Sequence, residues 1–193
     1  MSLTHFSSDI DAFVKDIRDA IVAASLNYDI WWVYKSEDSR PKYVSTMNRY
    51  TPFFQTSLQA HFLGLLVPLY RIYETRQDTH NIPQLIRRLR AMKALSTAAA
   101  MKVDELYGRA KPLWTKVSVL RNDAFGHRSR TRSVADAFQI ADMSGNNIKD
   151  LILVSQELIN TITLDTQGTV HAFNAQASTA IKALLSDLAK SRG

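Results

Sequence analysis

The sequence contains no cysteine and few of the residues that break helices. Its 193 residues include 6 Gly and 5 Pro. The absence of cysteine excludes disulfides and thiolate metal ligands. Scarce turn residues favour long helices, and no segment keeps the period-two alternation of a half-buried strand. The sequence therefore predicts an all-α fold.

The chain also lacks a long apolar run. The longest, residues 62–70, is interrupted by Gly64 and Pro68, whereas a membrane span needs about 20 residues. The first residues lack the charged segment and apolar run of a signal peptide. We therefore expect a cytoplasmic protein that has no membrane partner. The net charge of +6 favours an anionic partner such as RNA, although charge alone does not identify one.

Several familiar catalytic motifs are absent. The sequence has no Gly-rich phosphate loop, no His-Glu-x-x-His, no Gly-x-Ser-x-Gly and no EF-hand loop. Its five histidines do not show the spacing of metal ligands. We therefore expect neither a metal nor a cofactor.

Apolar residues recur at helical spacing along most of the chain. We expect helices to start near Ser8, near Val44 or Thr51, and near Asn81, Ser96 and Ser144, with a last one after Gly168. No linker divides the chain. The pattern predicts one domain over residues 1–193, an antiparallel bundle of about five or six helices.

The second long helix is apolar on nearly all sides, which predicts a central position in the bundle. Leu63 and Val67 lie opposite its main apolar face. Near its end, Tyr70, Arg71 and Glu74 could reach a functional site. His61, at the edge of the apolar face, is more often a core histidine than a catalytic one.

The most informative stretch runs from Leu120 to Arg128. Apolar residues lead into it and continue within it in steps of three and four, at Val103, Leu106, Ala110, Leu113, Val117, Leu120 and Ala124. His127 continues this series, and Arg121 continues the row of Tyr107 and Trp114. Arg121 and His127 therefore flank the stripe that faces the core or a partner.

Arginine and histidine together suit phosphodiester chemistry that needs no metal. A guanidinium can hold a phosphate in a fork and stabilise charge on it. An imidazole that titrates near neutrality can take a proton from a ribose 2′-hydroxyl or give one to the leaving oxygen. Arg121 and His127 are therefore the candidate catalytic pair.

Two runs of basic residues could each either bind RNA or lie on a solvated surface. Arg128, Arg130 and Arg132 could attract an RNA backbone, or could form a solvated loop. A second basic run, at Arg87, Arg88, Arg90 and Lys93, fits a solvated helix face better than a phosphate track.

The residues from Arg121 to His127 resemble the Arg-polar-x(3–5)-His motif of the HEPN superfamily, whose members are helical bundles. The nearest branch is the abortive-infection proteins of bacteria, in which a long helix ends in a similar Arg-Asn…His-Arg string. The resemblance covers about residues 9–163, and residues 169–193 would add a C-terminal helix.

This resemblance implies a homodimer whose two motifs share one groove. Many members are metal-independent endoribonucleases, often toxins in phage defence with a cognate antitoxin, so the resemblance implies the same activity and partner here. Along a regular helix, Arg121 and His127 would lie about 120° and roughly 9 Å apart. Two copies, or an unwound turn at Gly126, would bring such groups together.

The resemblance also implies individual roles. Arg121 would hold the scissile phosphate, His127 would act as general acid or base, and Asn122 would orient one of them. To these we add Asp123, whose carboxylate could hold His127 and raise its pKa. Members controlled by a partner nucleotidyltransferase often carry Tyr two residues after the His. Ser129 stands there, so we do not expect that control.

Other interpretations of the motif remain open. Gly126 could end the helix, with His127 and Arg128 complementing its dipole, but this leaves Asn122 and an inward Arg121 unexplained. The chain could also be a non-catalytic nucleotide- or RNA-binding dimer, or a helical scaffold.

Overall fold

Eight α-helices occupy most of the residues that the computed structural model describes, which are 3–122 and 134–191. They are α1 (Leu3–Lys35), α2 (Arg40–Arg49), α3 (Thr51–Arg71), α4 (Ile82–Ala91), α5 (Thr97–Arg121), α6 (Val134–Ile140), α7 (Gly145–Gln167) and α8 (Ser178–Lys190). These ranges contain no strand, so the all-α prediction is confirmed. The predicted number of five or six helices was slightly low.

Four long helices form the body of the fold as an antiparallel bundle. Contacts run in a ring, from α1 to α3, α5, α7 and back to α1. Their opposite directions follow from single pairs: the indole of Trp32, late in α1, lies at Gly145, the first residue of α7. Similarly, Ser96 at the start of α5 bonds to Asp165 near the end of α7. The predicted antiparallel bundle is therefore present.

Capping residues begin the helices where the sequence predicts. The side chains of Asn81, Ser96 and Ser144 each accept a bond from a backbone N–H in the first turn of α4, α5 and α7. Gly168 ends α7 with φ of 65°, a left-handed conformation that glycine adopts without strain.

Helix α1 begins earlier than the sequence predicts. It begins at Leu3, so the predicted start at Ser8 was wrong. It continues through the aromatic residues 28–34 and ends at Lys35. Trp31 of this region stacks on Phe62 of α3 and on Phe138 of α6. These aromatic residues therefore form part of the core.

Helix α3 separates from α2 at Tyr50, whose backbone is not helical. Its inner face is buried against α1 and α5 at Phe54, Phe62, Leu65, Leu66 and Leu69. Its outer face is open, because Phe53 is 61% exposed, Leu63 37% and Val67 53%. The predicted central position of this helix was therefore wrong.

A non-helical strap, residues 168–177, connects α7 to α8. The Asn160 side chain donates to the carbonyl of His171 and accepts from its N–H, at 3.1 and 2.9 Å. Asp29 of α1 accepts the N–H groups of Ala177 and Ser178 at the start of α8. The last helix starts later than predicted, at Ser178, and Phe173 lies in the strap and packs against the main core.

Helix α8 covers a second, smaller hydrophobic cluster. Ile181 and Leu185 pack there with Val33 and Tyr34 of α1 and Phe54 of α3. Among the described residues, no helix has the length and hydropathy to cross a membrane.

Candidate functional site

Arg121 is the last residue of α5, and the helix holds it at a defined place on the bundle. The inward stripe predicted from the sequence is buried at Val103, Leu106, Ala110, Val117 and Leu120. Leu120, next to Arg121, is fully buried. Pro112 does not break the helix, which continues to Arg121. The stripe therefore fixes the end of α5 against the core.

The guanidinium of Arg121 lies over the ring of Tyr70 of α3. Its central carbon is 4.8 Å from the ring centroid. The side chain is half-buried, and its Nη1 donates to the Oδ1 of Asn122 at 3.1 Å. A cation over an aromatic face gains about 0.5–2 kcal/mol, depending on how far it is desolvated. Tyr70 and Asn122 therefore both orient Arg121.

Tyr70 is in turn held by Trp114, one of the residues in the row that the sequence predicts. The two rings are stacked with centroids 6.2 Å apart. The Trp114 indole N–H donates to the backbone carbonyl of Tyr70 at 3.1 Å. We call Arg121, Tyr70 and Trp114 the Arg–Tyr–Trp stack. It joins the end of α5 to the end of α3.

A buried hydroxyl pair fixes the neighbouring turn. The Tyr73 hydroxyl lies 2.8 Å from the Oγ of Ser155 on α7, and Ser155 donates to the carbonyl of Leu151. Since the serine proton is used by Leu151, Tyr73 is the donor in the pair. Burial raises the pKa of Tyr73. Its ring also stacks on Tyr107 of α5, so α3, α5 and α7 meet beside the stack.

The chain is anchored again after the motif. Phe138 of α6 lies parallel to Trp31, at 6.1 Å, and also contacts the Phe62 ring. Lys116 of α5 donates to the carbonyl and the carboxylate of Asp142, each at 2.6 Å. The Lys116 ammonium holds the pKa of Asp142 below its usual value. The first contact connects α6 to the bundle, and the second connects the turn after α6 to it.

The structure describes only two of the residues predicted for the site. Arg121 and Asn122 lie together at the end of α5. Asp123, His127, Arg128, Arg130 and Arg132, with Gly126 and Ser129, lie outside the described residues, and their predicted roles stay predictions.

Tyr70 is the predicted neighbour that the structure brings to the site. Arg71, also considered from the sequence, instead bonds to the backbone carbonyl of Asp16 on α1. The spacing of Tyr107, Trp114 and Arg121 on α5 predicts the α5 side of the stack. The contact with Tyr70 depends on how α3 packs against α5, and the spacing within α5 does not specify that packing.

Two other groups of residues are accounted for by structure. The Nδ1 of His61 is bonded to the Oδ1 of Asn27 at 2.8 Å, and burial lowers the pKa of His61, as in a core histidine. On α4, Arg88 pairs with Asp9 and Arg90 with Asp104. These pairs favour the solvated helix face over a phosphate track.

Across residues 3–122 and 134–191, no group of three His, Asp or Glu side chains could hold a metal ion.

The chain is thus a helical bundle with an orientated arginine at the end of a long helix. The profile of the HEPN_AbiU2 family, described as AbiU2, matches residues 7–184. The match extends beyond residue 163, where the predicted resemblance ended, and into α8. Neither the curated proteins nor the solved structures gave a match. Because the profile covers most of the chain, the protein belongs to the AbiU2 family of HEPN proteins.

Proposed function

We propose that the protein is a metal-independent endoribonuclease of HEPN type, acting as a defence or toxin–antitoxin component. The observation that carries the proposal is the position of Arg121. Its guanidinium lies on Tyr70, bonds to Asn122 and directly precedes the rest of the motif. Since a guanidinium has five N–H donors, it can keep its bond to Asn122 and still present a fork to phosphate.

The reaction we propose is internal transesterification of RNA. The ribose 2′-oxygen attacks the adjacent phosphorus while His127 takes the hydroxyl proton. The bond from phosphorus to the 5′-oxygen breaks, and an imidazolium gives that oxygen a proton. The products are a 2′,3′-cyclic phosphate and a 5′-hydroxyl. Arg121 stabilises the charge that develops on the phosphate, and Asp123 holds the imidazole of His127.

The proposed site is shared by two copies of the chain. Because one regular helix would separate Arg121 from His127, a homodimer supplies the second imidazole at a common groove. Arg128, Arg130 and Arg132 then attract the RNA backbone. A cognate antitoxin would act by blocking this groove.

The test is RNA cleavage in excess EDTA. Labelled single-stranded and structured RNAs are incubated with wild type, Arg121→Ala and His127→Ala. We expect fragments ending in 2′,3′-cyclic phosphate from wild type, and a loss of about 10²- to 10⁴-fold in each variant. Arg109→Ala is the matched control. It removes an exposed arginine of the same helix that pairs with Glu105 and Glu157, roughly 18 Å from Arg121 along the helix axis. Its activity should equal that of wild type.

The Arg–Tyr–Trp stack also suits binding without cleavage, since stacked aromatic rings beside a guanidinium can hold a nucleobase. In that case RNA stays intact with every protein, and salt-dependent RNA binding weakens in Arg121→Ala and in His127→Ala. RNA that is neither cut nor bound would leave only the scaffold interpretation. Circular dichroism of each variant shows whether its fold is retained.

A further inference from the structure

The second part of α5 carries no acidic side chain. Over residues 106–121 its charged residues are all basic: Arg109, Lys111, Lys116 and Arg121. Helix α3, which packs beside α5, also contains no Asp or Glu. Carboxylates on a surface repel the phosphates of a nucleic acid, and this part of α5 has none.

Two of the four cations are already paired with carboxylates. Arg109 pairs with acidic side chains of α5 and α7, and Lys116 pairs with Asp142. Lys111 is exposed, and neither Lys111 nor Arg121 has a carboxylate partner among the described residues. Lys111 and Arg121 are therefore the cations of this segment that can bind an external anion.

These two cations lie on the same side of the helix. Ten residues separate them, which corresponds to about 15 Å along the axis and 80° around it. Trp114 lies between them along the axis, about 20° around the helix from Arg121. Its side chain is only half-buried, so part of the indole remains accessible. A cation, an aromatic ring and a second cation therefore follow one another along one side of α5.

We propose that a single strand of RNA runs along this side of α5, with one phosphate at Arg121, a base against Trp114 and a further phosphate at Lys111. We call these three residues the α5 track. Phosphates of a stacked strand are about 3.4 Å apart, so the span takes up about four nucleotides, and fewer when the strand is extended. The proposal rests on the proposed function, because that function places the scissile phosphate at Arg121.

The chemistry of the α5 track favours an unpaired strand. An aromatic side chain can stack on a base of any sequence, whereas the bases of a duplex are already stacked on one another. Lys111 is a point charge on a flexible stem, which contacts phosphate without reading the base. The α5 track therefore fits an unpaired RNA segment of several nucleotides and does not select a sequence.

Binding of 2′-O-methyl RNA tests the track without turnover, because this RNA has no free 2′-hydroxyl and cannot be cleaved. Losing one phosphate contact lowers the slope of log K against log salt by about 0.7 for a single strand, which is about 5-fold in affinity between 1 M and 0.1 M salt. We expect both changes in Lys111→Ala with an unstructured RNA of about 12 nucleotides. Lys111→Arg should bind like wild type, since either cation can contact phosphate.

Lys182→Ala is the matched control. Lys182 is also exposed and has no carboxylate partner among the described residues, but it lies on α8, which packs on α1 and α2. This variant should keep the affinity and the salt slope of wild type. Because both lysines are exposed, thermal unfolding should change little in either variant.

Tryptophan fluorescence tests the base contact. Stacking of a base on an indole quenches its emission, so RNA should quench wild type. The other two tryptophans, Trp31 and Trp32, pack in the main core on α1. Trp114→Phe should therefore lose the quenching by RNA. Quenching that persists in this variant would overturn the base contact.

The outcomes separate the α5 track from the ribonuclease. If Lys111→Ala loses affinity and salt slope but wild type cuts no RNA, the track stands and the enzymatic proposal fails. If wild type cuts RNA, Lys111→Ala should raise the KM of the long RNA about 5-fold, whereas a dinucleotide, which cannot reach Lys111, should be cut equally by both. Wild type that binds no RNA, or equal affinity and slope in wild type and Lys111→Ala, would overturn the track. So would a duplex whose binding depends on Lys111 to the same extent.

Discussion

Replacing Tyr70 should impair Arg121 without touching the motif itself. In Tyr70→Leu, the guanidinium loses the ring that lies 4.8 Å below it, and Trp114 loses its stacking partner. The Trp114 indole can keep its bond, since that bond goes to the backbone carbonyl of residue 70. Tyr70→Phe keeps the ring in place and is the matched control.

The magnitude follows from the cation–π contact. Such a contact is worth about 0.5–2 kcal/mol, which corresponds to roughly 2- to 30-fold in a rate or binding constant. We therefore expect kcat/KM for RNA cleavage to fall by that factor in Tyr70→Leu and to stay near wild type in Tyr70→Phe. The loss of the Tyr–Trp pair should cost about 0.5–1.5 kcal/mol of stability.

Two measurements separate positioning from general destabilisation. Kinetics are followed well below the unfolding temperature of each variant, and proton resonances of the Arg121 side chain report the ring current of Tyr70. The resonances should move in Tyr70→Leu and hold in Tyr70→Phe. If the leucine variant keeps full activity, or if the phenylalanine variant is equally impaired, the ring does not act by holding Arg121.

Three further predictions concern the bundle. In Ser155→Ala, the buried Tyr73 hydroxyl loses its acceptor, and denaturant unfolding should show a loss of about 1–3 kcal/mol, whereas Tyr73→Phe should cost less. Burial lowers the pKa of His61 and of His171, so below about pH 6.5 the unfolded chain binds more protons than the folded chain. The contribution of these two histidines to stability should therefore be complete above about pH 6.5 and fall as the pH drops toward their lowered pKa values. A double His61→Gln, His171→Gln variant that keeps the same pH slope would contradict this. A Cβ in Gly64→Ala would lie 2.5 Å from the Asn27 amide that holds His61, so this variant should melt lower, and an unchanged melting temperature would contradict the close approach.

Local signals in the sequence predicted much of the fold. Asn81, Ser96, Ser144 and Gly168 act on the backbone a few residues away, so their effect is readable without knowing the tertiary structure. The buried stripe of α5 was predicted for a similar reason, because its spacing is set by the helix itself.

The errors came from features that depend on neighbours. The sequence predicted one helix starting near Val44 or Thr51, whereas the structure has two, α2 and α3, each with a proline in its first turn, Pro41 and Pro52. The two-sided apolar pattern of α3 indicated burial on all sides, but periodicity does not show whether the second side is covered by the same chain. For the same reason, the α5 half of the Arg–Tyr–Trp stack could be predicted and its Tyr70 half only guessed.

The length of α1 couples the two hydrophobic clusters. With 33 residues, the helix extends for about 50 Å. Its middle contributes Ile17, Ile21 and Ala24 to the main core, and its end contributes Val33 and Tyr34 to the cluster under α8. If the smaller cluster opens, the end of α1 is exposed while the main core still holds the middle of the same helix. In native-state hydrogen exchange, we expect amides near Val33 to exchange with those of α8 at an intermediate opening energy, while amides near Ile21 exchange only on global unfolding.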